Sequence, residues 1–262
     1  MSSRRAVVSR GMNAQLLTGK TAVIYGGGGN IGGAVARAFA REGAQVHVAG
    51  RTREPLERVA ADTGAHVALL DGADEAAVDA HAAQVGRIDI SFNLIHREDA
   101  QGTPLAEMEV GTFLHALELG TRSAFLTSRA AARHMDGGGV ILFLTSASSR
   151  GTQPGMGNTG PTDAAVEALY RYQAAELGPR GIRVAGIHTA AVRGTLTAEN
   201  IEATGGQAID PELVYRMVGE RSMLGRVPTL DEIAETAAFL ASDRAGAITS
   251  GIVNATCGLV AG

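Results

Sequence analysis

The 262-residue sequence predicts a single α/β domain built on a doubly wound parallel sheet. Short apolar runs rich in β-branched residues alternate with longer stretches of helical period, which is the pattern of repeated βα units. The apolar runs are mostly continuous, as expected of parallel strands that are buried on both faces. No linker rich in Pro or Ser divides the chain. We therefore expect one sheet of about seven strands with helices on both of its faces.

The individual elements follow in order from this alternation. The predicted strands are Thr21–Tyr25, Gln45–Ala49, His66–Leu70, Asp89–Leu94, Val140–Leu144, Arg183–His188 and Ile252–Ala255. The predicted helices are Ile31–Glu42, Glu54–Asp62, Glu75–Gln84, Gly111–His134, Ala164–Leu177 and Asp231–Ser242.

Two segments lie outside this alternation. Residues 1–17 are interpreted as an N-terminal extension, so that the domain comprises residues 18–262. Between Arg193 and Pro228, several Gly residues and Pro211 interrupt two short helical pieces. In a sheet of this kind, such an insertion lies over the carboxyl ends of the strands, so residues 193–228 are predicted to form a lid over a substrate.

Composition narrows the possible functions. The chain carries 23 Lys and Arg against 27 Asp and Glu, and it has no long basic block. Nucleic acids and anionic membranes are bound by clustered Lys and Arg, so neither is expected as a partner. A single cysteine, Cys257, excludes an intrachain disulfide, and no segment has the apolar length of a membrane span or a signal peptide. We expect a cytoplasmic protein that acts on a small molecule.

The first predicted strand runs directly into a glycine-rich turn that opens a helix. Glycines there allow positive φ and a close approach of the backbone to a pyrophosphate, which the N–H groups of the helix N-terminus then bind. A flexible glycine turn without a ligand is the alternative. The residues expected to contact a dinucleotide are Gly26, Gly28, Gly29, Asn30, Ile31 and Gly32.

The end of the second strand indicates which dinucleotide is preferred. A site for NAD(H) places Asp or Glu here to bind both ribose hydroxyls, whereas this chain has Gly50-Arg51-Thr52-Arg53. No carboxylate there repels a 2′-phosphate, and the guanidinium groups of Arg51 and Arg53 can pair with it. We predict NADP(H) in preference to NAD(H), with Arg51 and Thr52 as contacts. The alternative is that both arginines are solvated residues at a helix start.

Further cofactor contacts are expected after the third and fourth strands. Asp71 and Gly72 lie where a carboxylate could bind an adenine amino group, and Asn93 could brace the adjacent strand. Asp71 could instead cap a helix, although Asp74 is the better candidate for that cap.

Taken in order, these features resemble the short-chain dehydrogenase/reductase superfamily from about Leu17 to Gly258. The resemblance implies a Rossmann-type fold, a bound dinucleotide, cofactor contacts at Val192 and Thr195, and assembly as a homodimer or homotetramer. It rests also on the later segments Gly178-Pro179-Arg180-Gly181, Gly225-Arg226-Val227-Pro228 and Phe239-Leu240-Ala241-Ser242-Asp243.

The chain departs from this family at the reacting residues. Family members use a Ser that holds the substrate oxygen, a Tyr that transfers the proton, and a Lys four residues later that lowers the Tyr pKa and binds the nicotinamide ribose. Ser146 keeps the Ser position, but Thr159 stands at the Tyr position and Asp163 at the Lys position. The Asn of the long helix is replaced near Gly120, and the Tyr position of the related enoyl reductases is Met156.

These replacements change the expected chemistry. A Thr hydroxyl has too high a pKa to donate a proton as a phenol does, and an Asp in place of Lys reverses the local charge. The catalytic candidates are therefore Ser146, Asp163, Thr159 and His188, with His96 at a second strand end. Ser146 could instead cap its strand, Asp163 could be a helix N-terminal carboxylate, and each histidine could be structural.

Three hypotheses of function remain open at this point. The first is an NADP(H)-dependent oxidoreductase with an atypical site, acting on a small, mostly apolar carbonyl, enoyl or imine compound. The second is a non-redox enzyme of the same fold, such as a cyclase, dehydratase or isomerase. The third is a catalytically inactive binding subunit.

Overall fold

A computed structural model describes residues 15–151, 153–198, 201 and 210–261. The strands are β1 (Thr21–Tyr25), β2 (Gln45–Gly50), β3 (His66–Leu69), β4 (Ile90–Asn93), β5 (Gly139–Ser146), β6 (Ile182–Thr189) and β7 (Ile252–Asn254). They form one parallel sheet in the spatial order β3-β2-β1-β4-β5-β6-β7, which confirms the predicted fold class.

The helices with described bounds flank this sheet. They are α1 (Asn30–Arg41), α2 (Arg53–Thr63), α3 (Glu75–Val85), α4 (Val110–Arg133), α5 (Thr159–Leu177), α6 (Pro211–Arg221) and α7 (Leu230–Ala241). The ends predicted from sequence lie within two residues of the observed ends, with one exception. None of the described helices is long and apolar enough to cross a bilayer.

The exception is the start of α5, which was predicted at Ala164 and lies at Thr159. Gly160 and Pro161 favour a break in the helix, but both fall in its first turn. The N–H groups of a first turn have no intrahelical partner, so a proline costs no hydrogen bond there. The earlier start places Asp163 inside the helix, and Asp163 is therefore not a carboxylate at its N-terminus.

The core lies on both faces of the sheet. Alternate residues of β1 point to opposite sides, with Ile24 packed beneath α1, α2 and α7 and Val23 beneath α3, α4 and α5. Leu17, the last residue of the predicted N-terminal extension, is fully buried in the first of these clusters. The domain therefore includes at least this residue.

The described part of the predicted lid is held to the sheet end by its backbone. Arg193 forms an isolated bridge with Thr229 just before α7. The hydroxyl of Tyr215 on α6 accepts hydrogen bonds from the N–H groups of Gly194 (3.0 Å) and Leu196 (2.9 Å). Residues 199–200 and 202–209, which include Gly205 and Gly206, lie outside the described residues.

Candidate active site

Two adjoining cavities open at the carboxyl end of the sheet. The first, of about 350 Å³, lies against the turn after β1, the segment after β4, and helices α4 and α5. The second, of about 310 Å³, lies against the same turn and the ends of β2 and β3. The order of strands reverses between β1 and β4, so this is the crevice in which doubly wound sheets bind ligands. We call the cavities the α5 cavity and the β2 cavity.

All but one of the predicted cofactor residues line these cavities. The exception is Val192, which is buried and whose carbonyl accepts hydrogen bonds from the N–H and the hydroxyl of Thr195. The β2 cavity is lined by Gly26, Gly28, Gly29, Arg51, Thr52, Asp71 and Gly72. The α5 cavity is lined by Gly26, Gly29, Asn30, Ile31, Gly32, Asn93 and Thr195.

The glycine turn needs its glycines for space as well as for conformation. Gly26 has a φ of +78°, and a Cβ atom there would overlap the Leu94 carbonyl. A Cβ atom at Gly32 would overlap the carbonyl of Gly26. No side chain caps the N-terminus of α1, and its first turn carries no acidic residue. A helix start of this kind attracts a phosphate group.

The mouth of the β2 cavity carries a surface ion pair. Arg51 lies 3.3 Å from the carboxylate of Glu98, whose other oxygen lies 2.9 Å from Nε2 of His115. These contacts from His115 and Arg51 lower the pKa of Glu98. Arg53 instead pairs with Glu57 on its own helix, and it does not line the cavity. His96 lines both cavities.

The acidic residues after β3 have separate roles. Asp74 accepts a hydrogen bond from the N–H of Ala77 and caps α3, which confirms the predicted cap. Asp71 accepts from the N–H of Ala73 at 2.9 Å and remains exposed at the β2 cavity. Gly72 is closely covered by the side chain of Ile95, which would overlap a Cβ atom at that position.

The prediction that Asn93 braces the adjacent strand is wrong. Its side-chain oxygen accepts a hydrogen bond from the N–H of Ile95, two residues later (3.0 Å), in the manner of an Asx turn. Asn93 also hydrogen-bonds the buried hydroxyl of Tyr170, whose ring stacks on Phe143. Burial raises the pKa of Tyr170. Tyr170 is therefore a packing residue, whereas Tyr172 is 74% exposed and makes no comparable contact.

The structure brings Ser146 and Asp163 together. The Ser146 hydroxyl donates a hydrogen bond to Oδ2 of Asp163 at 2.6 Å, and the Ser146 N–H donates to the same oxygen at 3.0 Å. The hydroxyl oxygen also accepts from the N–H of Ser148 at 3.1 Å, so Ser146 caps the end of its strand as well. The other oxygen of Asp163 forms an ion pair with Arg97, which reaches it from the segment after β4.

Arg97 occupies space that a side chain at position 120 would fill. A Cβ atom at Gly120 would lie 2.9 Å from Cδ of Arg97 and 2.8 Å from Thr162. The Arg97 guanidinium also pairs with Asp99 at 3.1 Å. Where the family pattern has a lysine on α5, this site has an acid, and its cation comes from the segment after β4.

Burial and charge act on this ion pair together. Asp163 is fully buried, and burial raises its pKa above the ordinary value, because Arg97 and the hydrogen bonds from Ser146 offset only part of this effect. Burial lowers the pKa of Arg97, but Asp163 and Asp99 outweigh this effect and raise it overall. The direct contact with the arginine favours the ionised form of the Asp163 carboxylate and opposes the effect of burial.

Thr159 is covered by the loop after β4. It is buried, and its hydroxyl oxygen accepts a hydrogen bond from Gln101 at 3.1 Å. Asn158 beside it accepts from the N–H of Ala100 at 2.9 Å. The loop after β4 therefore closes onto the first turn of α5, over the position where the family has its Tyr.

His188 belongs to a separate buried cluster. Its Nε2 lies 2.7 Å from a carboxylate oxygen of Glu167 and 3.3 Å from the hydroxyl of Ser149. The same Glu167 oxygen accepts from Thr145. Burial raises the Glu167 pKa, but the contacts with His188, Ser149 and Thr145 together lower it overall. A Ser-His-acid triad needs its serine and carboxylate on opposite nitrogens of the ring. The structure therefore favours the structural interpretation of His188.

Sequence reasoning missed Arg97, Asp99 and Glu167. Glu167 lies four residues after Asp163 on α5, so the helical period alone predicts that both face the same side. For Arg97 the signal is a combination of two residues. The acid at position 163 favours a nearby cation, and the glycine at position 120 leaves space for its side chain.

Comparisons with known proteins agree with this fold. The sequence profile of a family described as Enoyl-(Acyl carrier protein) reductase matches residues 28–260. The chain is 32% identical to the peroxisomal 2,4-dienoyl-CoA reductase of Rattus norvegicus, over 91% of this chain and 82% of that protein.

Solved structures with the same fold include two of particular interest. One is a short chain dehydrogenase/reductase family protein, with 31% identity, a TM-score of 0.79, and coverage of 93% of this chain and 98% of the other. The second is NAD⁺-bound xylitol dehydrogenase, with 27% identity, a TM-score of 0.82, and coverage of 92% and 99%.

Proposed function

Because the chain belongs to the short-chain dehydrogenase/reductase superfamily, whose members are oxidoreductases with a nicotinamide cofactor, we propose that it is an NADP(H)-dependent oxidoreductase with a rebuilt reacting site. Ser146, Asp163 and Arg97 form that site in place of the family's Ser, Tyr and Lys. The observation that carries the proposal is the 2.6 Å hydrogen bond from the Ser146 hydroxyl to the buried Asp163 carboxylate.

The residues around the crevice fit a nicotinamide dinucleotide. The glycine turn and the uncapped start of α1 suit its pyrophosphate, the β2 cavity suits its adenosine half, and the α5 cavity suits its nicotinamide half. When bound, the nicotinamide supplies two-electron hydride transfer. Arg51 supports a preference for the 2′-phosphate of NADP(H), because its guanidinium lines the β2 cavity and is 59% exposed.

Ser146 and Asp163 are proposed to move the proton that accompanies hydride transfer. Ser146 is only partly buried and follows Leu144, which lines the α5 cavity, by two residues, whereas Asp163 is fully buried. Ser146 is therefore the more accessible of the two groups. The proton passes between a substrate heteroatom and Asp163 through the Ser146 hydroxyl. Arg97 fixes the carboxylate in place, and Thr159 is assigned no step because it is buried and accepts a hydrogen bond from Gln101.

The proposal extends to substrate and assembly. The predicted lid contains apolar residues such as Leu196, Met217 and Met223, and this composition suits a small, mostly apolar carbonyl, enoyl or imine compound or its reduced form. Assembly as a homodimer or homotetramer is supported by large apolar side chains that α4 and α5 leave exposed, namely Val110, Leu114, Phe125 and Tyr172. A cytoplasmic location remains part of the same proposal.

A non-redox reaction is the second candidate. Among the described residues, Ser146 and Asp163 contact no phenol, and a buried carboxylate can serve as the base of a cyclisation, dehydration or isomerisation. An inactive binding subunit would need neither the hydrogen bond between Ser146 and Asp163 nor the ion pair between Asp163 and Arg97.

Nucleotide titration separates these candidates. We expect NADPH to bind at micromolar concentration by fluorescence and NADH to bind much more weakly. Arg51→Ala should weaken NADPH binding about tenfold or more, because a charge-assisted contact is lost. Arg53→Ala is the matched control, since Arg53 pairs along its own helix, and it should change affinity by less than about threefold. If neither NADPH nor NADH binds, the proposal is overturned in favour of a non-redox enzyme or a binding subunit.

A further inference from the structure

Three histidines lie together where α3 meets the edge of the sheet. His47 on β2 and His66 on β3 are register partners, and their rings stack with 4.6 Å between the centroids. The ring of His81 on α3 lies 6.2 Å from the ring of His47, centroid to centroid. All three line a cavity of about 520 Å³ whose other walls come mainly from β3 and α3. We call this group the histidine cluster.

The histidine cluster favours neutral rings. Burial, with His66 and His81 nearby, lowers the pKa of His47 to about 4, and burial lowers the pKa of His81 as well. Nδ1 of His81 is buried and has no hydrogen-bond partner among the described residues. A proton on this nitrogen would therefore add a charged donor without an acceptor. If His47 and His66 were both protonated, two like charges would face each other across the stack.

The groups around the histidine cluster do not compensate added positive charge. Tyr25 on β1 meets the His81 ring edge to face, and burial raises its pKa, so its hydroxyl stays neutral. Asp79 on α3 raises this pKa further, but its carboxylate is paired with Arg129 and Arg133 of α4. Further neighbours among the described residues are two amides and, on the opposite face of the sheet, the ion-paired residues of α2: Gln45, Gln84, Arg53 with Glu57, Arg58 with Glu54, and Asp62 with Arg37.

Among the elements that carry the histidine cluster, β3 is the most weakly held. It is a four-residue strand at the edge of the described sheet, where it pairs with β2 alone, and none of its residues is buried. Helix α3 is tied to α4 by the ion pairs of Arg129 and Arg133, and it buries Val78 and Ala82. Elements with few buried contacts open at the lowest free energy. Positive charge on the cluster therefore acts first on β3.

Strand β3 leads directly into the wall of the β2 cavity. Leu70, Asp71 and Gly72 follow the strand and line that cavity. Leu70 also lines the cavity of the histidine cluster, and its N–H donates a hydrogen bond to the last residue of β2 at 3.0 Å. Tyr25, which contacts His81, lines the β2 cavity as well. A movement of β3 away from β2 is thus a movement of the cavity wall.

From this arrangement we infer that β3 is an acid-sensitive strand: protonation of the histidine cluster releases β3 from β2, and the release opens the wall of the β2 cavity that faces the adenosine half of a nucleotide. In the released state the rings of His47 and His66 separate and become hydrated, so that both can carry a charge. The release itself needs no nucleotide. Its consequence for the β2 cavity rests on the proposed function.

The pKa values fix the direction of the effect. The paired strand favours neutral His47, with a pKa of about 4, whereas a hydrated imidazole has its ordinary value of 6.5. The paired form is therefore fully favoured above pH 6.5, and release becomes more frequent as the pH falls from 6.5 towards 4. Because His47 is partly exposed, its contribution to the equilibrium is about fivefold, and His81 raises the expected change to about tenfold between pH 7.5 and pH 5.

Hydrogen exchange measured by mass spectrometry tests the release in the protein without a ligand. The protection factors of a peptide that contains β3 are compared between pH 7.5 and pH 5, after correction for the intrinsic pH dependence of amide exchange. We expect β3 of the wild type to lose about tenfold in protection at pH 5. The interior strand β6 should change by less than about twofold. His47→Gln, which cannot be protonated, should keep most of its protection at β3.

A matched variant and an internal standard control this measurement. His134→Gln makes the same change at the end of α4, away from the histidine cluster, and it should behave as the wild type. Protection at β6 shows that each variant is folded under the conditions used. The inference is overturned if β3 of the wild type keeps its protection at pH 5, or if His47→Gln loses as much protection as His134→Gln.

Exchange in the presence of NADP⁺ tests the consequence for the β2 cavity. A nucleotide that binds only the closed wall opposes the release, so NADP⁺ at about a hundredfold excess over its dissociation constant should raise protection at β3 by at least about tenfold at pH 5. If NADP⁺ binds and leaves β3 unprotected, the link between β3 and the cavity is overturned. If NADP⁺ does not bind at pH 7.5, the proposed function falls, and exchange without the nucleotide still decides whether acid releases β3.

Discussion

The two halves of the crevice offer different kinds of groups to a ligand. At the β2 cavity, the glycine turn and the start of α1 offer backbone groups, and Arg51 is the main charged side chain. At the α5 cavity, the expected chemistry depends on the side chains of Arg97, Asp99 and Asp163. Recognition by backbone depends on a fold that the chain retains, whereas recognition by side chains changes as soon as the side chains do. One half can therefore keep the family pattern while the other is rebuilt.

The largest expected effect on stability comes from breaking the ion pair between Arg97 and Asp163. Arg97→Met leaves Asp163 buried without its cation, and we expect the free energy of unfolding to fall by about 3–5 kcal/mol. Urea denaturation measures this change. The double variant Arg97→Met/Asp163→Leu removes both charges and should recover most of the loss. A single variant as stable as the wild type would show that the pair is not formed in solution.

Packing at position 120 gives the next largest effect. Gly120→Ala places a Cβ atom 2.8 Å from Thr162 and 2.9 Å from Arg97, so we expect a loss of about 1–3 kcal/mol in unfolding free energy. Gly111→Ala in the same helix is the matched control. Nothing lies within 4 Å of a Cβ atom there, and the change should be neutral or stabilising by up to about 1 kcal/mol. Thermal or urea unfolding of both variants decides whether Arg97 fills this space.

In the other half, Glu98 tests whether Arg51 is available to a phosphate. The Glu98 carboxylate pairs with the Arg51 guanidinium at 3.3 Å, and it would repel a 2′-phosphate that approached Arg51. Glu98→Gln should therefore tighten NADPH binding by about threefold to tenfold and leave NADH binding unchanged. Fluorescence titration measures both. An equal gain for NADH would mean that Glu98 acts on the whole crevice, and the contrast between its two halves would be weaker.

The smallest expected effect is a pH dependence of the free energy of unfolding that comes from His47 on β2, a strand whose end lines the β2 cavity. Burial, with His66 and His81 nearby, lowers the pKa of His47 on β2 to about 4 from its ordinary value of 6.5. The folded protein thus favours neutral His47. The stabilisation is present above pH 6.5 and is lost as the pH falls from 6.5 towards 4.

His47 is partly exposed, so we expect this contribution to be about 1 kcal/mol. His47→Gln should flatten the dependence of the urea midpoint on pH between pH 7 and pH 4.5. His134→Gln is the matched control, since His134 lies at the end of α4, away from these rings. An unchanged pH profile in His47→Gln would assign the acid sensitivity to other groups.

The sequence predicted the sheet well because parallel strands that are buried on both faces occur in it as continuous apolar runs. It predicted the positions of Ser146 and Asp163 because both follow from the register of the family pattern. It did not predict Arg97, whose partner lies 66 residues away, because a long flexible side chain from a loop can reach many places. The predicted start of α5 was too late. Gly160 and Pro161 are typical of a helix break, and the sequence alone did not show that both would lie in the first turn, where they are tolerated.

The close fit of Arg97 against Gly120 also constrains how such a site can arise one substitution at a time. A side chain at position 120 would crowd Arg97, and an acid at position 163 is costly in a buried site without the arginine. A lysine at position 163 alone would meet the guanidinium of Arg97. Substitutions at positions 97, 120 and 163 are therefore expected to be non-additive, so that the effect of each depends on the residues at the other two.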